Sequence, residues 1–126
     1  MTEHSPATAT AVAFIEAFAA KDLTKLAGYC ADDIVFESPR VKITGAPDVA
    51  EAMGQFAQAV ASIDIIAAYG DDEHAVIMYD MQTGPFGTIR AADHFVVRDG
   101  KIISDQLVFD TYELRRFEES QTPAAG

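Results

Sequence analysis

Three aspartates carry the chemistry this chain can offer. Asp80, Asp93 and Asp105 each stand in a run of apolar or β-branched residues: Ile77 to Met81, Ala91 to Phe95 and Ile102 to Val108. A carboxyl group on an apolar strand is costly to bury, so such a position marks either a functional acid or a solvated rim. Side chains alternate across a strand, which puts Asp93 on one face with Ala91, Phe95 and Val97. The turn Arg98-Asp99-Gly100 decides where Asp105 points. A three-residue loop pairs Val97 with Lys101 and sets Asp93 opposite Asp105. A two-residue Asp-Gly turn shifts the register by one and sends Asp105 to the other face. In the first register the carboxyls cannot both ionise cheaply, so one keeps its proton near neutrality. A protonated Asp93 then donates to a carbonyl, epoxide or phenolate oxygen, while Asp80 or Asp105 takes or relays a proton. The competing reading leaves Asp80 and Asp105 solvated at a rim, or bonded to backbone or Tyr79.

Other reactive residue types form no constellation. Cys30 is the only cysteine and sits at an apolar helix end (LAGYCADD), where a thiol serves as filler. Of the three histidines, His4 lies in the polar N-terminus, His74 beside a turn, and His94 on the opposite face from Asp93. No two have ligand spacing, so no metal is expected. The glycines at 84, 87 and 100 make turns and form no phosphate cradle. Arg40, Lys42 and Arg90 are too few and too dispersed to hold a polyanionic cofactor, and none is expected.

The elements that position these residues follow from periodicity. Val12, Ile15 and Phe18 share a stripe, with Phe14 beside it, in a helix over Thr8–Ala20. Asp22 caps a short helix from Leu23 to Tyr29. Ile34–Glu37 reads as a strand stopped at Ser38-Pro39. Gly45-Ala46-Pro47 opens a third helix whose buried stripe is Val49, Met53, Phe56, Ala57 and Val60. The period then becomes strand-like over Ile63–Tyr69, His74–Gln82, Thr88–Val97 and Lys101–Phe109, with turn residues between. Helices first and hairpins last give an α+β fold: a curved antiparallel sheet of four or five strands wrapped on three helices, with a conical cavity between the layers. The domain spans residues 8–117, and the polar ends, 1–7 and 118–126, are expected to be loose.

The whole chain sets limits on partners. With 126 residues and 49% hydrophobic content it builds one domain around one core. A formal charge of −11 repels phosphate backbones and anionic headgroups, which argues against nucleic acid and membrane surfaces. No run is long and apolar enough for a membrane span, and Glu3 and His4 are not the start of a signal peptide. A cytoplasmic protein is expected.

The segment Phe14 to Leu23, Ala31-Asp32-Asp33 with Phe36-Glu37-Ser38-Pro39, Gly45, and Asp93 to Ile102 resemble, in order and spacing, the nuclear transport factor 2-like superfamily. Ketosteroid isomerase, limonene epoxide hydrolase, scytalone dehydratase and the SnoaL-type polyketide cyclases belong to it. The resemblance implies a cone-shaped α+β fold. It matches Asp93 to the protonated oxyanion acid of ketosteroid isomerase. The aspartate base of that enzyme falls on Ser38 and its tyrosine on Phe14, so its triad is incomplete. The arginine-x-aspartate motif of limonene epoxide hydrolase falls on Met78-Tyr79-Asp80, and its second aspartate on Leu107. That triad is incomplete too. Alignment to the family places Val76, Met78 and Asp80 inward on one strand and Asp105, Leu107 and Phe109 on another. The expected pocket wall is Phe14, Phe18, Tyr29, Phe36, Met53, Phe56, Met78, Phe95, Leu107 and Phe109.

Together these readings point to a pocket for a small hydrophobic molecule, with cofactor-free acid/base chemistry of isomerase, cyclase, dehydratase or epoxide hydrolase type. The alternative is a non-catalytic binding or dimerisation module on the same fold. A homodimer is expected through the outer sheet face of Arg90, Ala92, His94, Val96 and Val108.

Overall fold

The computed structural model describes residues 4–121, so the expectations for residues 1–3 and 122–126 lie outside the described residues. Helix α1 spans Pro6–Ala19, begins with proline in its first turn, and is capped by Ser5, whose Oγ accepts from Thr8 N at 3.4 Å. It starts two residues earlier than its apolar stripe suggests. Helix α2 (Leu23–Gly28) is capped by Asp22, and α3 (Ala46–Ala57) follows Gly45, whose φ of 100° is one that glycine tolerates best. Ala7, Ala11, Phe14, Ile15 and Phe18 of α1 are buried in the core together with Val49 and Ala57 of α3.

Among the described residues six strands form one sheet in the order β2-β1-β6-β5-β4-β3. They are β1 (Cys30–Glu37), β2 (Lys42–Thr44), β3 (Val60–Gly70), β4 (His74–Thr83), β5 (Thr88–Arg98) and β6 (Lys101–Phe109). The short edge strand β2 is absent from the sequence reading because three residues carry no readable alternation. Strand β1 pairs in parallel with β6, while the other pairings are antiparallel. Register shifts in β3, at Val60–Ser62 and Ile65–Ala67, bend the long strand so that the sheet curls around α1.

A fourth helix, α4 (Tyr112–Gln121), lies beyond the three expected, and it carries the chain past residue 117, where the apolar pattern ends. Its start is fixed by Asp110 Oδ1, which accepts from Tyr112 N at 2.9 Å. The helix is strongly polar, with Leu114 its one buried residue, and that polarity makes the segment read as a loose tail in the sequence despite its amphipathic spacing.

The β5–β6 hairpin settles the position of Asp105 in a way neither reading of the turn foresaw. Arg98 pairs with Lys101 across a two-residue turn, with Asp99 at φ 53° and Gly100 at φ 74°. That turn alone would send Asp105 outward. However, Val97 pairs with Ile102 and Val96 with Ser104, leaving Ile103 as an extra, bulged residue. The bulge shifts the register a second time and returns Asp105 to the face of Asp93. Asp105 is thereby paired with Phe95, and Asp93 with Leu107.

Candidate functional site

Strand alternation on β4, β5 and β6 builds one oblique line of polar groups on the concave face. Tyr79 pairs with Ala91, so it lies diagonal to Asp93. Asp93 pairs with Leu107, so it lies diagonal to Asp105. All three are buried: Tyr79 at 4% exposure, Asp93 at 3% and Asp105 at 0%. The Tyr79 hydroxyl donates to Asp93 Oδ1 at 2.5 Å. Among the described residues no donor reaches either carboxyl oxygen of Asp105 with hydrogen-bond geometry. Its in-register neighbours are Phe36 on β1 and Phe95 on β5.

These surroundings set the acidities. Burial lifts both carboxyls above the ordinary aspartate value. Asp105 is raised well above it, first by burial and then by the neighbouring Asp93 charge. Asp93 is held back by the hydrogen-bonding of Asp105 and Tyr79, which favours its charged form. Tyr79 is itself pushed well above the usual phenol value, by burial and by Asp93. The three therefore retain protons at neutral pH more strongly than free side chains would.

The polar line forms the floor of an otherwise apolar cavity of about 420 Å³. Of the ten wall residues named from sequence, Phe14, Phe18, Phe36, Met53, Phe56, Leu107 and Phe109 line it. Phe95 is fully buried behind the wall, edge-on to Phe14 with ring centroids 5.7 Å apart, and Tyr29 packs against the core away from the cavity. Phe86, Leu114 and Phe117 complete the wall, and Ser38, Arg40 and Glu118 form its rim. Phe117 meets Phe86 edge-on at 5.2 Å, and Phe86 stacks on Phe56 at 6.2 Å.

Strand β4 corrects two expected site residues. Its buried set is Ala75, Ile77, Tyr79 and Met81, one residue out of step with the family alignment. Met78 is 39% exposed and faces outward. Asp80 also faces outward, where Arg90 Nε and Nη2 donate to its two oxygens at 2.8 and 3.0 Å. The Arg90 guanidinium holds that carboxyl below the usual range, so Asp80 is an ion-pair partner and no member of the acid/base site. The sequence does contain a signal for Tyr79. Ala75, Ile77, Tyr79 and Met81 are all aliphatic or aromatic, whereas the alternate set carries His74, Asp80 and Gln82. Leu114 and Phe117 stand at helical spacing, which marks a face of α4 that the sequence reading does not use.

The remaining candidates stay structural. Burial pushes the Cys30 thiol up to about 11, and its Sγ donates to Leu26 O at 3.5 Å. His74 Nδ1 and His94 Nε2 come together at 3.2 Å on the outer sheet face, although the two are far apart in sequence. Their ring centroids lie 5.4 Å apart with planes within 15° of parallel. Among the described residues no cluster of three or more His, Cys, Asp or Glu is placed to hold a metal. None of their helices is long and apolar enough to cross a membrane.

Comparison with known proteins places the architecture. Residues 11–104 match the model of the SnoaL-like domain. A crystal structure of a protein from Kribbella flavida superposes with a TM-score of 0.87 at 29% identity, covering 91% of this chain and 95% of its own. A nuclear transport factor 2-like protein of unknown function from Cytophaga hutchinsonii gives 0.76 at 16% identity, covering 90% and 97%. An LEH-like epoxide hydrolase from M. tuberculosis gives 0.74 at 21% identity, covering 89% and 88%. No curated protein matches the chain.

The raised carboxyls make stability depend on pH. The folded state keeps a proton that the unfolded chain releases above the ordinary aspartate value of about 3.9. Their contribution is therefore fully present in acid and is lost as pH rises through the folded value. Asp105→Asn keeps the shape and removes the ionisation. Relative to the wild type, it is expected to gain stability as pH rises, by about 1–3 kcal/mol at pH 8. Urea unfolding of both proteins from pH 5 to 8 checks this. A variant equally destabilised at every pH would contradict it.

Proposed function

Since the chain belongs to the SnoaL-like domain family, we propose that it catalyses cofactor-independent proton transfer on a small, neutral, hydrophobic molecule bearing an oxygen. The observation carrying this reading is the Tyr79–Asp93–Asp105 line on the floor of an apolar cavity. A ligand of cavity size loses its water on binding and presents its oxygen to the polar groups at the floor. Asp105, which has no other donor among the described residues, holds the proton and gives it to a ketone or epoxide oxygen. Asp93, favoured as the carboxylate by the Tyr79 hydroxyl, removes a proton from carbon or from a water molecule. Tyr79 orients Asp93 and supports whichever oxygen carries charge. These roles exchange those expected for the two aspartates from sequence, because Tyr79 takes its place beside Asp93. The fold shared with the M. tuberculosis LEH-like epoxide hydrolase keeps epoxides among the compounds worth testing.

A second reading, a non-catalytic ligand-binding module, draws on a specific observation. The positions matching the tyrosine and base of ketosteroid isomerase hold Phe14, packed on Phe95, and Ser38. The Ser38 hydroxyl is occupied by the backbone N–H groups of Arg40 and Val41, both at 3.2 Å. Deuterium exchange separates the two readings. Cyclic ketones and enones incubated with the protein in D₂O are expected to incorporate deuterium beside the carbonyl, and epoxides to open. Asp93→Asn is expected to slow the reaction about 10²–10⁴-fold, and Tyr79→Phe to slow it less. Ligand binding without exchange above buffer would move the protein to the second reading.

We also propose a homodimer through the outer sheet face. Val76, Met78 and Val108 are 45%, 39% and 61% exposed there, on strands of the same sheet. They flank Ala92 and His94, and a two-fold axis would bury the patch against itself. Sedimentation at micromolar concentration is expected to return a dimer, and Val108→Glu a monomer. A wild-type monomer would remove this proposal.

A further inference from the structure

The cavity rim holds a pair of residues that proton transfer at the floor does not use. Arg40, between β1 and β2, meets Glu118 of α4 through both terminal nitrogens: Nη1 lies 2.5 Å from Oε1, and Nη2 donates to Oε2 at 2.9 Å. Both residues line the cavity. A fork-on-fork contact is the geometry with which arginine takes a carboxylate ligand, and here the carboxylate is the chain's own. Among the described residues lining the cavity, Arg40 is the one cation, in a chain of net charge −11. The two side chains are 36% and 55% exposed, so the pair adds little to stability and can exchange one carboxylate for another.

We infer that Arg40 is a carboxylate subsite at the mouth of the pocket, occupied by Glu118 as a resident anion, and that Glu118 sets the preference of the pocket for neutral molecules over acids of the same shape. The inference rests on reading the cavity as a ligand site. An alcohol or ketone enters beside the pair without disturbing its charge. An acid with the same apolar body brings a second carboxylate to a guanidinium already compensated, and meets like charge from Glu118. Without the Glu118 charge, the donors of Arg40 turn to the incoming acid. Leu114 and Phe117 of the same helix supply wall beside the rim, so an acid can rest its apolar body there while its carboxylate reaches Arg40.

The test uses decan-1-ol and decanoate, which share a body and differ at one end, displacing fluorescent N-phenyl-1-naphthylamine at pH 8 and low salt. The wild type is expected to hold the alcohol more tightly than the acid. Glu118→Gln is expected to shift the acid-to-alcohol affinity ratio towards the acid on the order of tenfold. Glu119→Gln makes the same charge change one residue along α4 and is expected to leave the ratio at its wild-type value. The double variant Arg40→Gln/Glu118→Gln is expected to lose the gain. An unmoved ratio in Glu118→Gln, an equal shift in Glu119→Gln, or a gain that survives in the double variant would each overturn the inference. Failure of the wild type to bind the fluorophore or either decyl compound would remove the ligand-site reading, and the inference with it.

Discussion

Two carboxyl groups set into a wall of phenylalanine and aliphatic side chains cannot both be charged, and the architecture around them is organised by that constraint. Burial alone disfavours two anions so close together in an apolar sheet. The Tyr79 hydroxyl donates to Asp93, while among the described residues no donor reaches the Asp105 oxygens, whose in-register neighbours are Phe36 and Phe95 and whose polar neighbour is Asp93 itself. The asymmetry assigns unequal acidities to two chemically identical side chains. Unequal acidity is what an acid and a base need in order to work at one pH.

The fold meets this constraint with backbone devices. The Asp99-Gly100 turn is the tight hairpin that the strands' twist favours, yet by itself it would expose Asp105. The bulge at Ile103 uses one residue to restore the face, and in doing so it places Asp105 on the diagonal from Asp93 where the two can interact. Helices α1 and α3 then close an apolar chamber over the polar line with Phe14, Phe18, Met53 and Phe56. At its mouth α4 brings hydrophobic wall and a charged rim together, so the dry chemistry at the floor and the selection at the rim lie on different elements.

Much of this is legible in the residues. The order of elements, the α+β class and the facing of Asp93 with Ala91, Phe95 and Val97 follow from periodicity and alternation. Those strands have long apolar runs that fix their phase. The features that are not legible have physical reasons. A bulge such as Ile103 leaves no mark in composition, since any β-branched residue fits it. The family alignment sets the phase of β4 one residue out, and that slip exchanges Asp80 and Met78 for Tyr79 and Met81. Helix α4 has a helical face in Leu114 and Phe117, but it is so polar overall that it resembles a solvated tail in the sequence. The meeting of His74 and His94 is hidden because sequence spacing does not show a diagonal contact between neighbouring strands.

The shared proton is the claim from which the proposed chemistry follows. Carbon-13 labelling of aspartate, with the side-chain carboxyl signals of Asp93 and Asp105 followed from acid to about pH 9, tests it directly. The pair is expected to titrate in two coupled steps, with Asp105 releasing its proton far above the ordinary value of about 3.9 and Asp93 responding to the same event. If both carboxyls lose their protons near that ordinary value, independently of one another, the buried dyad does not exist and the acid/base site falls with it.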